Sequence, residues 1–272
     1  MSKSQKTLRA LTESAIMLAL ATALSLVKIV ELPYGGSVTV ASMLPVLIIA
    51  YRYGVKWGLL TGAAYGGVQQ LLGLKNLSYV TTWQSVLAVI LLDYVVAFLC
   101  IGFGGSFRGK KSQPAGLVGG GLLACALRYL CHVISGATVW AGLSIPTNAA
   151  LIYSIGYNAT YMIPETIVLL IVAYYLSTKL DFRADRIGPY KGEGRARPGV
   201  LDWIAGLLLA GAFVFDTASV FARLQNGDTG SFDITGLNAV NWGLIAAVSG
   251  ICIAFSAVLF FLSRKQKQGN KA

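Results

Sequence analysis

An all-α polytopic membrane protein is the fold class this sequence predicts, and three observations carry the prediction. The chain of 272 residues is 56% hydrophobic and only 12% charged, with a mean hydropathy of +0.67, far more apolar than a soluble domain. Apolar segments of membrane-spanning length recur along it. Its basic residues sit between those segments, where they set orientation, so the net charge of +11 does not make a nucleic-acid-binding face.

Taken in order, candidate spans fall near Leu8 to Val30, Ser37 to Ala50, Trp57 to Leu74, Trp83 to Gly104, Gly116 to Trp140, Ala149 to Ser177, Val200 to Ala222 and Gly236 to Leu262. The second is the weakest, being short and containing Pro45. Lys3, Lys6 and Arg9 before an apolar run imitate a secretory signal, but the run continues unbroken to Val30, so the segment reads as a retained helix. With eight spans and the N-terminus inside, eighteen of the 22 basic side chains fall on the cytoplasmic side and only Lys28, Lys75 and Arg223 outside. Both termini are then expected to be cytoplasmic. The remaining cation, Arg128, lies in the membrane.

Arg128 stands one helical turn before His132, the single histidine of the chain, in the middle of the fifth span. Ionisable groups at that depth are costly and face a cavity or a partner. Counting a 1.5 Å rise per residue from the outer ends puts Asp93, His132 and Asn158 at roughly 15, 12 and 13 Å depth on three consecutive spans. Arg128 and Glu165 lie deeper, at roughly 18 and 24 Å, where they are expected to pair as a floor. Above them Tyr34, Tyr79, Trp83, Tyr94, Trp140, Tyr153 and Tyr157 crowd the outer end. An acid beneath aromatic rings is the chemistry of a cation pocket.

Small residues recur every four positions at Ala15, Ala19 and Ala23 and at Gly54, Gly58, Gly62 and Gly66, stripes that let helices approach closely. Cys100, Cys125, Cys131 and Cys252 lie in apolar segments without metal-binding spacing, and no metal or cofactor is expected. Gly104 to Lys110 reads G-x-x-x-x-G-K, but Lys111 follows where a phosphate loop needs Ser or Thr, so ATP would have to be hydrolysed elsewhere. Ser135 near His132 lacks a nucleophile elbow, which argues against catalysis.

Four stretches carry a resemblance: Glu31 to Pro45, Leu91 to Tyr94, Arg128 to Gly136 with Trp140, and Tyr153 to Asn158. In their order and spacing the chain resembles the thiamine-specific substrate-binding components (S-components, ThiT type) of energy-coupling factor vitamin transporters. The resemblance implies a bacterial cell-membrane protein with a six-helix bundle over residues 1–180. A basic linker over 181–199 and two additional transmembrane helices over 200–272 would follow. It implies that thiamine is bound by Asp93, Tyr94, His132, Trp140, Tyr153 and Asn158, with Tyr34 and Tyr79 closing the pocket from the loops. Arg128 and Glu165 would support these from beneath. Ala15, Ala19 and Ala23 would dock on a transmembrane coupling protein that works with two cytosolic ATPases. Tyr153 and Asn158 are five residues apart, about 140° around a straight helix, so either Gly156 bends the segment or Tyr153 precedes it. The competing reading is a proton-coupled secondary transporter of a small cationic or heteroaromatic solute, with Asp93, His132, Arg128 and Glu165 as its relay.

Overall fold

In a computed structural model, residues 2–110, 112–142, 147–190, 199–224 and 234–269 are described, and the chain separates into two units, Met1–Lys191 and Gly192–Ala272. Among the described residues six helices are long and apolar enough to cross a membrane, two fewer than the hydropathy pattern suggests.

The first unit opens with α1, Lys3–Leu26, capped by Ser2, whose hydroxyl accepts from Gln5 N while the Gln5 side chain accepts from Ser2 N. The expected helix does not continue to Val30. Lys28–Glu31 (β1) and Ser37–Thr39 (β2) pair antiparallel instead, with Val30 opposite Val38 and Glu31 opposite Ser37. The hairpin turns through Tyr34 and Gly35, both at positive φ (65° and 98°), and Leu32 N donates to Gly36 O at 2.7 Å to close it. Gly35 takes that backbone without cost, whereas a tyrosine there is uncommon.

The expected second span is therefore this strand plus a ten-residue helix, α2 (Leu44–Tyr53), with Pro45 in its first turn. That position suits proline because the N–H it lacks has no helical acceptor to meet. Gly54 at φ 91° joins α2 to α3, Val55–Leu72. A Cβ on Gly58 would lie 2.4 Å from Ala50 Cβ, on Gly62 2.5 Å from Phe98 O, and on Gly66 2.6 Å from Tyr94 O. The second small-residue stripe is thus an internal contact, seating α3 on α2 and on the next span, α4 (Trp83–Phe107).

That span, Trp83–Phe107, changes its winding along its length. It begins as α-helix, capped by Thr82, widens to a π-helix over Val89–Val96, returns to α over Ala97–Leu99 and tightens to 3-10 over Cys100–Phe107. Two long helices, α5 (Gln113–Gly142) and α6 (Thr147–Lys179), complete the bundle. Beyond α6 the short strands β3 (Leu180–Asp181) and β4 (Gly188–Pro189) pair. There the buried Arg52 pairs with Glu13 at 2.9 Å and donates to Phe182 O at 2.7 Å, tying α1 and α2 to the end of the unit.

The second unit holds α7 (Val200–Phe221) and α8 (Trp242–Gly269). Arg223 is the one partner for Asp216 that the sequence suggests, but Ser249 on the neighbouring helix donates to its carboxylate. Ser256 likewise bonds Ala205 O at 3.0 Å. One oxygen of this half-buried acid is thereby met by a hydroxyl across the helix pair, while its Oδ1 has no hydrogen-bond partner among the described residues.

Candidate functional site

A cavity of about 270 Å³ lies between the hairpin, the Leu74–Tyr79 turn and helices α1, α3, α4, α5 and α6. Its polar centre is built from Asp93 outward. The wide π turn of α4 carries Asp93, and turns of this kind are frequent at functional sites. His132 Nδ1 stands 2.7 Å from Asp93 Oδ1, and Ser135 Oγ donates to Oδ2 at 2.8 Å. His132 and Ser135 are three residues apart on α5, so one helical face addresses both carboxylate oxygens. The Asp93 side chain is 25% exposed against 9% for His132. The acid is the group presented to the cavity, and each of its oxygens keeps a free lone pair.

Asn158, on α6, joins the same cluster. Its Nδ2 donates to His132 O at 3.2 Å and to Ser154 O at 2.9 Å, while its Oδ1 accepts from Tyr161 OH at 2.6 Å. The approach of α5 to α6 at this level depends on Gly136, where a Cβ would lie 2.4 Å from Ser154 Oγ. Asp93, His132 and Asn158 thus converge as their equal depths predict. Asn158, however, directs its carboxamide chiefly to protein groups.

Beneath them Arg128 places Nη2 3.2 Å from His132 Nε2, donates through Nη1 to Met43 Sδ and stacks over Phe98 with Cζ 4.4 Å from the ring centroid. The expected Arg128–Glu165 pair does not form. Glu165, 3% exposed, accepts instead from Thr39 N at 2.5 Å and from Thr39 Oγ1 at 2.7 Å. The end of β2 offers that carboxylate two donors in one place, while the guanidinium on α5 is turned to Met43, His132 and Phe98.

The hairpin closes the other side. Tyr157 OH accepts from Gly36 N at 3.0 Å. Tyr34 meets Tyr79 edge-on with centroids 5.2 Å apart and lies 6.4 Å from Tyr157. Lys75 on the facing turn reaches Glu31 at 3.1 Å, and Lys28 reaches it at 2.7 Å. Lys28 and Lys75 hold the Glu31 carboxyl below the usual carboxylate range. Tyr94 OH accepts from Asn76 Nδ2 at 2.9 Å, fixing the turn to α4.

Of the residues singled out in the sequence, Asp93, Tyr94, His132, Asn158, Tyr34, Tyr79, Arg128 and Glu165 line the cavity. Tyr153 is not among its lining. Because α6 begins at Thr147, Tyr153 does not precede the helix and stands about 140° around it from Asn158. The Trp140 side chain lies outside the described residues. Sequence reasoning missed Thr39 and Asn76. Nothing in an ordinary loop marks Asn76, but the spacing of Tyr157, Tyr161 and Glu165 at four-residue intervals announces the α6 face on which β2 rests.

A helical bundle that spans the membrane several times and encloses a small polar cavity around an exposed carboxylate defines a membrane protein that binds a small solute. The family model described as "Thiamine transporter protein (Thia_YuaJ)" matches residues 11–183, and the chain belongs to that family, whose work is transport and not catalysis. The Thiamine transporter ThiT of Bacillus subtilis (strain 168) is 38% identical over 184 residues, covering 63% of this chain and 91% of that protein. A solved structure of ThiT from Listeria monocytogenes shares the fold, with a TM-score of 0.52 at 23% identity over 63% of this chain and 94% of that one. The family match ends before α7 and α8.

Proposed function

We propose that this chain is the thiamine-binding subunit of an ATP-driven importer, taking the vitamin from outside and passing it inward by docking on a transmembrane coupling protein served by two cytosolic ATPases. The single observation that carries the reading is Asp93. Its carboxylate is oriented by His132 and Ser135 and left open to the cavity. Thiamine joins a cationic thiazolium to a flat aminopyrimidine, so it matches one anion set among aromatic faces. Tyr94, and Asn158 through the second lone pair of its Oδ1, bond its polar edges, His132 offers a stacking face, and Tyr34 with Tyr79 closes the mouth. Ala15, Ala19 and Ala23 lie exposed on α1, free for the coupling protein. The basic loops orient both termini to the cytoplasm.

Titration of the purified protein with thiamine, followed by tryptophan fluorescence, tests the reading. Asp93→Asn removes a charge-assisted contact worth about 1.5–3 kcal/mol, so affinity should fall roughly ten- to a hundredfold. Unchanged affinity in that variant rejects the counter-ion role. Uptake by the chain alone, driven by a proton gradient in proteoliposomes, rejects the coupled importer.

A further inference from the structure

Arg128 is a puzzle for a cation site. It is buried to 8% exposure, lines the cavity floor and has no carboxylate within ion-pair distance among the described residues. A cation in that position opposes a cationic ligand unless its charge serves something else. Its surroundings show what that is. Nη1 meets Met43, the ring of Phe98 lies against the guanidinium face, Nη2 is aimed at His132 Nε2, and Nε has no hydrogen-bond partner among the described residues.

A guanidinium has only donors and stays charged at every accessible pH. Nε2 at 3.2 Å from it must therefore present a lone pair. A neutral imidazole carries a single N–H, and with Nε2 accepting, that hydrogen resides on Nδ1, 2.7 Å from Asp93 Oδ1. An imidazolium would set N–H against N–H and place two cations in contact.

We propose that Arg128 is a positioning residue that holds His132 as its neutral Nδ1–H tautomer, so that the histidine orients Asp93 without cancelling its charge. Without Arg128, Nε2 is free to take a second proton and Asp93 becomes half of a neutral ion pair, a poor seat for a cation. Among the described residues, the titratable or charged groups that meet the imidazole or line the cavity beside it are Asp93 and Tyr94 on α4, Arg128 on its own helix, Tyr65 on α3, and Tyr157, Tyr161 and Glu165 on α6. A phenol carries no charge near neutrality. Both Glu165 oxygens are engaged by Thr39. Arg128 is thus the group placed to decide the second proton on His132.

The inference rests on the reading of Asp93 as counter-charge to the ligand, but its first test needs no ligand. The chain has one histidine, so the full-length protein labelled with ¹⁵N-histidine gives one imidazole by nuclear magnetic resonance. The expected spectrum is a neutral Nδ1–H ring from pH 5.5 to 8. In Arg128→Met the ring should gain its second proton as the pH falls through the ordinary histidine range near about 6.5. Thiamine affinity, level with pH in the parent, should then drop about tenfold between pH 8 and 5.5 in that variant. Arg128→Lys, which keeps a charged donor, should restore much of the level profile.

A parent ring protonated on Nε2, or doubly protonated at pH 7, overturns the inference. So does an Arg128→Met profile running parallel to that of the parent, which is the outcome for a merely structural arginine. Should the methionine variant not fold, the parent spectrum alone decides. An Nδ1–H ring in a protein that ignores thiamine upholds the role of Arg128 and rejects the proposed ligand instead.

Discussion

Glu165 on α6 receives both donors of Thr39, the backbone N–H at 2.5 Å and the hydroxyl at 2.7 Å. The strand that walls the cavity is thereby bolted to the helix beneath it, through a carboxylate that is buried and, among the described residues, has no cation within ion-pair distance. A buried carboxylate stripped of donors is costly, so the contact fixes β2 more firmly than a surface turn would.

Thr39→Val keeps the shape of the side chain and the backbone bond but removes the hydroxyl. It should lower stability by about 1–3 kcal/mol, read as the midpoint of thermal unfolding in detergent. Because β2 is one side of the cavity, thiamine should also leave faster, measurable by stopped-flow displacement. An unchanged midpoint would show that Ser42, 2.8 Å from the same hydroxyl, takes over the bond.

The Glu31 bridge to Lys75 acts at the mouth. Its carboxyl is held below the ordinary range by Lys28 and Lys75, so the sign follows directly. The stabilisation is complete above the unfolded value of a glutamate and is lost as the pH falls through the lowered folded value. Ligand dissociation should therefore be level from pH 5 to 8 as far as this bridge is concerned, and should quicken only in more acid solution. Both partners are well exposed, so Lys75→Met should accelerate dissociation only about twofold, and less in high salt.

The glycine contacts on α3 give a matched pair. A methyl group at Gly62 would meet the backbone of Phe98 and Leu99, which has no way to yield. Gly67, one and a half turns on, has open space around its Cβ position. Gly62→Ala should cost about 1–3 kcal/mol through overpacking and reduce the yield of folded protein on size exclusion. Gly67→Ala should match the parent. Equal behaviour of the two would reject close α3–α4 packing.

What was legible in the sequence followed from depth and from charge. Counting residues along three spans was enough to bring Asp93, His132 and Asn158 together, because a regular helix converts position into height. The same arithmetic failed where backbone or competition intervened. Hydropathy read Lys28 to Val30 as more helix and Ser37 to Ala50 as a span, although β-branched residues on either side of Tyr34-Gly35-Gly36 are a hairpin pattern. Lying beneath the cluster suggested that Arg128 meets Glu165, yet depth is silent about which donors lie closer, and Thr39 does. Tyr153 stands five residues before Asn158 on one continuous helix, about 140° around its axis, and is not among the cavity's lining.

The wide turn over Val89–Val96 has one more implication. A turn of that width accommodates an extra residue without disturbing the helical phase before and after it. In α4 the requirements differ along the helix: residues near Phe98 must mesh with the glycines of α3, while Asp93 must look into the cavity. Slack at this turn lets the cavity-facing side chain be re-aimed or exchanged over evolutionary time while the scaffold around it keeps its fit.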